Sequence, residues 1–346
     1  MGVWYCRRED VQQVLDSPAT LRTNWQIDRL IESKSRGIEE RLHREFAPTI
    51  ATRYFPFPND QFGRSWRIWL DRDELISVTS ITSGGQTVSS YFLEPVNLGP
   101  PYDRIEVNLG STSSFNTGST YQRNIAITGL FGYTNETVAI GSLSSLLGNT
   151  VGATANATWT TPRFGVGDVL LIDSERVTIT ARNMSSSAQT LQTPVGASTA
   201  ETTIAVTSGA SFLADTVLLL DSERMLVVDV AGNNLIVKRA WDGSVLAAHT
   251  GSTIYTYTGI TLDRAALGTT IASHSSSTTI YQWQVPGPVR QLCVAEVLNA
   301  FEQEASGYAR SIGSGDNVRN AMGAGIDDIR KDVMQSHGRQ LRMAAI

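Results

Sequence analysis

The chain has 346 residues, enough for roughly two or three domains and at least one sizeable core. With 41% hydrophobic and 18% charged residues, it excludes global disorder. The net charge of −5 argues against wrapping nucleic acid over the whole surface. Two cysteines, Cys6 and Cys293, are too few for a disulfide framework or a sulfur-based metal site and point to a reducing assembly compartment. Arg7-Arg8-Glu9-Asp10 precede any apolar run, so no signal peptide is expected, and no apolar stretch approaches the roughly 20 residues of a membrane span.

Taken in order, residues 8–16 place Val11, Val14 and Leu15 at helical spacing, and Ser17-Pro18 ends the pattern. A longer helix follows, with Thr23 or Asn24 as its expected N-cap. Trp25, Ile27, Leu30, Ile31, Ile38, Leu42 and Phe46 form its apolar stripe, and Pro48 closes it. His43, without a partner motif, reads as a solvated or packing histidine. From Thr52 the period changes to two. Strands are expected over 53–57, 65–70, 75–81, 91–93, 104–109 and 124–131, punctuated by Gly84-Gly85 and Gly99-Pro100-Pro101. These strands predict a small antiparallel sheet packed on the long helix.

The middle, 136–283, is rich in Thr, Ser, Gly and Val and contains a repeat. Val169-Leu-Leu-Ile-Asp-Ser-Glu-Arg-Val177 recurs as Val217-Leu-Leu-Leu-Asp-Ser-Glu-Arg-Met225. The segment after the second copy, Leu235 to His249 and on to Tyr255, is echoed by Ile260 to His274 and on to Tyr281. Two front halves are thus followed by two back halves, which excludes a tandem array. Nesting explains the order: an inner β module at 185–258 inserted in a hairpin loop of an outer one built from 136–184 and 259–283. Hairpin tips tolerate insertion because the chain ends there are already close.

After Trp283, Val285-Pro286-Gly-Pro288 starts a helix whose Val289, Leu292, Cys293, Val297, Ala300 and Phe301 share a face. Gly313-Ser-Gly-Asp316 breaks it, and a shorter helix is expected over 325–337. Residues 330–346 carry Arg330, Lys331, Arg339 and Arg342 against Asp332 alone and end in Met343-Ala-Ala-Ile346, a basic tail with an apolar tip.

The twin motif invites a catalytic reading, with Asp173 and Glu175, or Asp221 and Glu223, as carboxylate pairs and His274 or His249 as base. A structural reading outweighs it. Carboxylates two apart in a strand can flank a turn and accept backbone hydrogen bonds, with Arg176 and Arg224 pairing locally. There is no G-x-S-x-G elbow, no H-E-x-x-H and no P-loop, and four scattered histidines do not make a zinc site. No enzyme, cofactor or metal is expected.

With the middle removed, Asn135 joins Gln284, and 1–135 plus 284–346 form one domain. It resembles the head–tail connector (adaptor) proteins of tailed bacteriophages. The resemblance rests on Gln26-Ile-Asp-Arg-Leu-Ile-Glu-Ser-Lys-Ser-Arg36, His43-Arg-Glu-Phe46, Arg53-Tyr-Phe55, Trp69-Leu-Asp71, Leu75-Ile-Ser-Val-Thr79, Tyr91-Phe-Leu-Glu-Pro95 and Ile127-Thr-Gly129 in this order. It covers 1–135 and 284–310 best. The nested modules resemble β appendages of other phage structural proteins and carry no adaptor role. The expected fold class is therefore α+β: a helical adaptor domain with a small antiparallel sheet, interrupted by two nested all-β modules.

The resemblance implies a homo-oligomeric, dodecameric ring at the neck of the virion, assembled in the host cytoplasm. It implies a portal protein on one side and a neck or tail protein on the other, with viral DNA passing through a channel without sequence-specific binding. It also implies that the tail, 330–346, orders on the portal. The alternative is a tail or fibre protein whose β modules bind a host-surface carbohydrate, with Trp159 and Trp241 as candidate stacking residues.

Overall fold

A computed structural model describes residues 2–15, 20–58, 64–307, 311–312, 319–320 and 324–339. The helix α1 (Arg8–Leu15) leads into α2 (Leu21–Leu42). The N-cap of α2 is Thr20, whose side chain accepts from the Thr23 backbone N–H, so the cap lies ahead of both expected positions, Thr23 and Asn24. His43 terminates α2 with a left-handed φ of 51°. Ile27, Leu30, Ile31, Ile38 and Leu42 are buried as the stripe required, but Trp25 is 67% exposed.

The next strands are β1 (Thr49–Phe55), β2 (Arg67–Trp69), β3 (Leu75–Ser83), β4 (Gln86–Thr87), β5 (Tyr91–Glu94), β6 (Arg104–Val107) and β7 (Ile125–Phe131). They form two antiparallel sheets, of order β1-β7-β3-β4 and β2-β6-β5. Phe55, Ile68, Leu70, Leu75, Ile81, Ile105, Ile125 and Phe131 fill one core between them, and no helix residue joins it. The expected small sheet packed on the long helix is thus corrected. Alternating strands offer one apolar face, and here that face is covered by a second sheet.

The middle continues with β8 (Thr137–Leu143), β9 (Thr154–Trp159), β10 (Val169–Ile172), β11 (Glu175–Thr190), β12 (Thr203–Ala205), β13 (Val217–Leu220), β14 (Glu223–Ala231), β15 (Asn234–Lys238), β16 (Thr253–Ala266) and β17 (Thr279–Trp283). All ten belong to one sheet, β11-β10-β17-β8-β9-β16-β13-β14-β15-β12, with β11 also paired to β16. That extra pairing closes two rings. The first half of β11, β10, β17, β8, β9 and the second half of β16 make one six-stranded barrel. In the other, β14, β13, the first half of β16, the second half of β11, β12 and β15 pair in the same order. The Leu191–Val206 bridge completes it.

Each barrel has its own core. One is filled by residues of 140–179 and 260–280, among them Leu170, Ile172, Val177, Ile260 and Ile280. The other is filled by residues of 191–254, among them Ile204, Leu218, Leu220, Met225 and Ile254.

The fold class is corrected accordingly. Among the described residues strands make up 37% and helices 23%, and the largest element is a ten-stranded sheet rather than a helical domain. The physical reason is visible in β11 and β16. Both run without a break from one barrel into the other, paired from Arg176–Ala266 to Thr190–Thr253 with four register shifts. The two repeats therefore merge into one sheet, with no linker between them.

Beyond Trp283 come α3 (Gly287–Ala305) and α4 (Ala324–His337). The two ends of the excursion lie side by side: the Gln284 N–H donates to the Glu136 carbonyl at 2.9 Å, and the Trp283 indole donates to Thr134 O at 3.0 Å. α1, α2, α3 and α4 share one core with Trp4, Tyr5, Cys6, Phe46, Val166, Val169 and Trp283. Glu296, 3% exposed, joins Arg41 of α2 to Arg330 of α4. Burial alone would raise its carboxyl pKa, but the two guanidinium groups hold it below the ordinary value. Among the described residues no helix is long and apolar enough to cross a membrane.

Candidate functional site

The Asp-Ser pairs 173–174 and 221–222 are two-residue hairpin loops, since Ile172 faces Glu175 and Leu220 faces Glu223 across the ladder. Both aspartates have a left-handed φ of 52°. Such a φ is rare outside glycine, but Asp tolerates it better than most residues. The turn sends the following glutamate inward, where Glu175 and Glu223 are both fully buried.

There each glutamate meets an arginine and a histidine from the back half of its own repeat. The Arg264 guanidinium donates in a fork to Glu175, Nε to Oε1 at 2.8 Å and Nη2 to Oε2 at 2.7 Å. The backbone N–H groups of Ala265 and Ala272 add bonds of 3.0 Å, and His274 Nε2 lies 2.9 Å from Oε2. Glu223 is held identically, by Arg239 at 2.7 and 2.8 Å, by the N–H groups of Ala240 and Ala247 at 2.9 and 3.0 Å, and by His249 Nε2 at 2.9 Å. Ala240 and Ala265, with φ of 52° and 55°, are turned left-handed so that their amides reach the carboxylate.

The other ring nitrogens face the turn aspartates. His274 Nδ1 lies 2.8 Å from Asp173 and His249 Nδ1 2.7 Å from Asp221. With a carboxylate oxygen at each ring nitrogen, the two bonds form together only when the imidazole carries both hydrogens. Spare arginine donors close the loops, from Arg264 to Gly148 O and Ala272 O and from Arg239 to Gly196 O and Ala247 O.

Burial alone would push both glutamates up. The arginine, the histidine and the two amides more than reverse it and hold Glu175 and Glu223 at about 2. Asp221 is lowered by its bonds to His249 and Ser252.

Each cluster is thus an Asp–His–Glu–Arg set joined by hydrogen bonds. Its glutamate accepts five donors, and its histidine has both nitrogens engaged. With the glutamate and the histidine so engaged, the arrangement pins a turn and a loop to the barrel wall, while the side chains of Asp173 and Asp221 remain more than half exposed.

The structure brings Asp173, Glu175 and His274 together, and likewise Asp221, Glu223 and His249, but Arg176 and Arg224, expected to pair locally with these motifs, belong to neither cluster. Arg176 donates to Asn135 Oδ1 at 2.8 Å, and Arg224 approaches Asp242 at 3.8 Å. The partners are Arg264 and Arg239. Their signal was present in the aligned back halves: Arg-Ala stands ten residues before the histidine in both.

The tail residues are placed only in part. Arg330 bonds to Glu296 at 2.9 Å and to Asp327 at 2.7 Å, and Lys331 lies 3.5 Å from Asp328 on the exposed face. Val333 is buried, and Arg339 donates its backbone N–H to Leu42 O at 3.1 Å. So 330–337 is helix docked on the chain's own core. Arg342, Met343 and Ile346 lie outside the described residues, as does Gly313-Ser-Gly-Asp316.

Trp159 stacks on Phe164 with centroids 3.9 Å apart and donates to Thr258 O at 3.2 Å. Trp241 has the Lys238 ammonium 4.7 Å from its ring and lines a cleft of about 660 Å³ between α1 and the two barrels. Among the described residues no group of three or more His, Cys, Asp or Glu side chains is placed to hold a metal.

No family model, curated protein or solved structure gives a significant match to this chain.

Proposed function

We propose that the protein is a structural component of a phage virion, a head–tail connector that assembles into a dodecameric ring on the portal and gives DNA a passage to the tail. The observation that carries the reading is the ordered set of motifs in 1–135 and 284–310. In support, these two ends, separated by about 150 residues of barrel, close into one helical core. The hydrogen-bond saturation of both buried glutamates favours a structural over a catalytic role. A net charge of −5 suits a channel that must release DNA, since each neutralised phosphate adds salt-dependent grip.

Because α4 already packs on the chain's own core through Val333, the segment we propose to order on the portal is 340–346. The test images the purified full-length chain, alone and mixed with portal-bearing heads, by electron microscopy. A ring with an axial channel seated at the neck is expected. A chain that stays monomeric and unbound beside intact portals sinks the reading. Truncation after Arg339, which spares Val333, weakens binding if the last residues order on the portal; undiminished binding removes them from the interface.

A second reading, a host-surface carbohydrate binder, has one observation in its favour, the polar cleft lined by Trp241. Labelling of the barrels at the tail tip instead of the neck would establish it in place of the first.

A further inference from the structure

Cys6 and Cys293 are the chain's only cysteines, 287 positions apart, and the fold brings them together inside the helical core. They are 3% and 0% exposed, with sulfurs 3.3 Å apart. We infer that this pair is an oxidation site at which hydrogen peroxide closes an intrachain disulfide between the N-terminal segment and α3.

The geometry distinguishes the two thiols. Cys6 donates its S–H to Cys293 Sγ, and the Ser35 hydroxyl lies 3.6 Å from the same sulfur. Ser35 Oγ already accepts the Tyr5 N–H at 3.1 Å, which leaves its own hydrogen free to point at Cys293. The bond to Cys293 and burial both make Cys6 keep its proton. Cys293 is therefore the attacking sulfur and Cys6 the resolving one.

The steps balance. Cys293 sulfur attacks one peroxide oxygen, the O–O bond breaks, and the departing hydroxide takes the thiol proton as water, leaving Cys293 as a sulfenic acid. Cys6 sulfur then attacks the sulfenic sulfur, the S–O bond breaks, and a second water leaves with the Cys6 proton. Two thiols are oxidised by two electrons, and one peroxide is reduced to two waters.

Bond formation requires the sulfurs to close by about 1.3 Å, from 3.3 Å to the usual S–S length. Cys6 can supply that movement, because it lies in the coil ahead of α1 rather than inside a helix or strand. The bond would enclose every strand of both barrels and both smaller sheets in one covalent loop. In the thiol state the first residues are held to α3 by packing and by the Cys6–Cys293 hydrogen bond.

The test treats the full-length chain with hydrogen peroxide and reads intact mass, accessible thiols after denaturation, and melting temperature. Expected are a mass loss of about 2 Da, no alkylatable thiol, a crosslinked peptide joining Cys6 to Cys293, and a melting temperature higher by about 5 °C or more, all reversed by a dithiol reductant. C6S and C293S should each abolish the mass loss. Two thiols still alkylatable after peroxide, a gain of about 32 Da from a sulfinic acid, or crosslinking only between chains would each overturn the inference. The first measurements use the wild-type chain alone, so a variant that fails to fold leaves the test intact.

Discussion

The two barrels carry the same cluster in different company. The barrel of Glu175 is fused to its surroundings: Val166, Val169 and Trp283 belong to the helical core, and the Val166 N–H donates to Glu9 at 2.9 Å. Its Leu267 carbonyl accepts from Ile50 of β1 at 2.9 Å, and Arg182 pairs with Glu9 of α1. The barrel of Glu223 has a core of its own residues only. It meets the rest through the β11–β16 ribbon, the Trp159–Thr258 bond, the Arg182 guanidinium over Tyr257 at 4.0 Å, and an exposed ion pair. The cluster is therefore the feature the two barrels share. What surrounds it decides whether that barrel is scaffold or appendage.

The largest test of this contrast replaces the buried glutamates one at a time. Glu175→Gln and Glu223→Gln each leave a buried arginine facing a neutral partner, a change that typically costs about 3–5 kcal/mol. The cost should be similar, and its spread should differ. In Glu175→Gln, hydrogen exchange should rise in α2 and α3 as well as in the mutated barrel. In Glu223→Gln the rise should stop near the ribbon, and unfolding should split into two transitions. Equal loosening of α2 by both variants would break the comparison.

Acid should act on both barrels in the same window. Because Glu175 and Glu223 are held at about 2, below their ordinary 4.5, their contribution is complete above 4.5 and is lost as pH falls through 2. Tryptophan fluorescence and far-UV circular dichroism across this range should report loss of structure towards pH 2. In Glu175→Gln and Glu223→Gln the corresponding part of that acid limb should vanish. An acid limb left unchanged by both substitutions would show that other carboxylates control it.

A twofold β-rich repeat was legible because Asp-Ser-Glu-Arg recurs and matching back halves end at His249 and His274, but the closure of the repeats into barrels sharing one sheet was not. The arginine pairing was misjudged because Arg176 and Arg224 stand beside the glutamates in sequence. In a strand, neighbours point to opposite faces, so an adjacent arginine cannot share the glutamate's buried side. The covering of β1–β7 was not legible either, since an alternating strand records that one face is buried but not by what. Trp25 followed the helical stripe and still lies open to solvent, and the Cys6–Cys293 contact depends on α3 docking beside the N-terminus. Both are tertiary outcomes without a local signal.

The smallest effect tests the joint between the barrels. Arg163 and Asp215 form a side-chain ion pair between them, at 3.1 Å, with their side chains 74% and 43% exposed. An exposed pair gains little, because water screens the charges and ordering two side chains costs entropy. Arg163→Ala should therefore lower stability by less than about 1 kcal/mol and leave exchange in both barrel cores unchanged. The Glu223 barrel would then owe its position to the ribbon, whose long pairing resists twisting at the joint better than one solvated contact can. If Arg163→Ala instead released that barrel, seen as a broadened small-angle scattering envelope with both cores still protected, the ion pair would be the latch and the ribbon a hinge. Added salt would separate the same alternatives without mutation: a latch of this kind weakens as ionic strength rises, and a hydrogen-bonded ribbon does not.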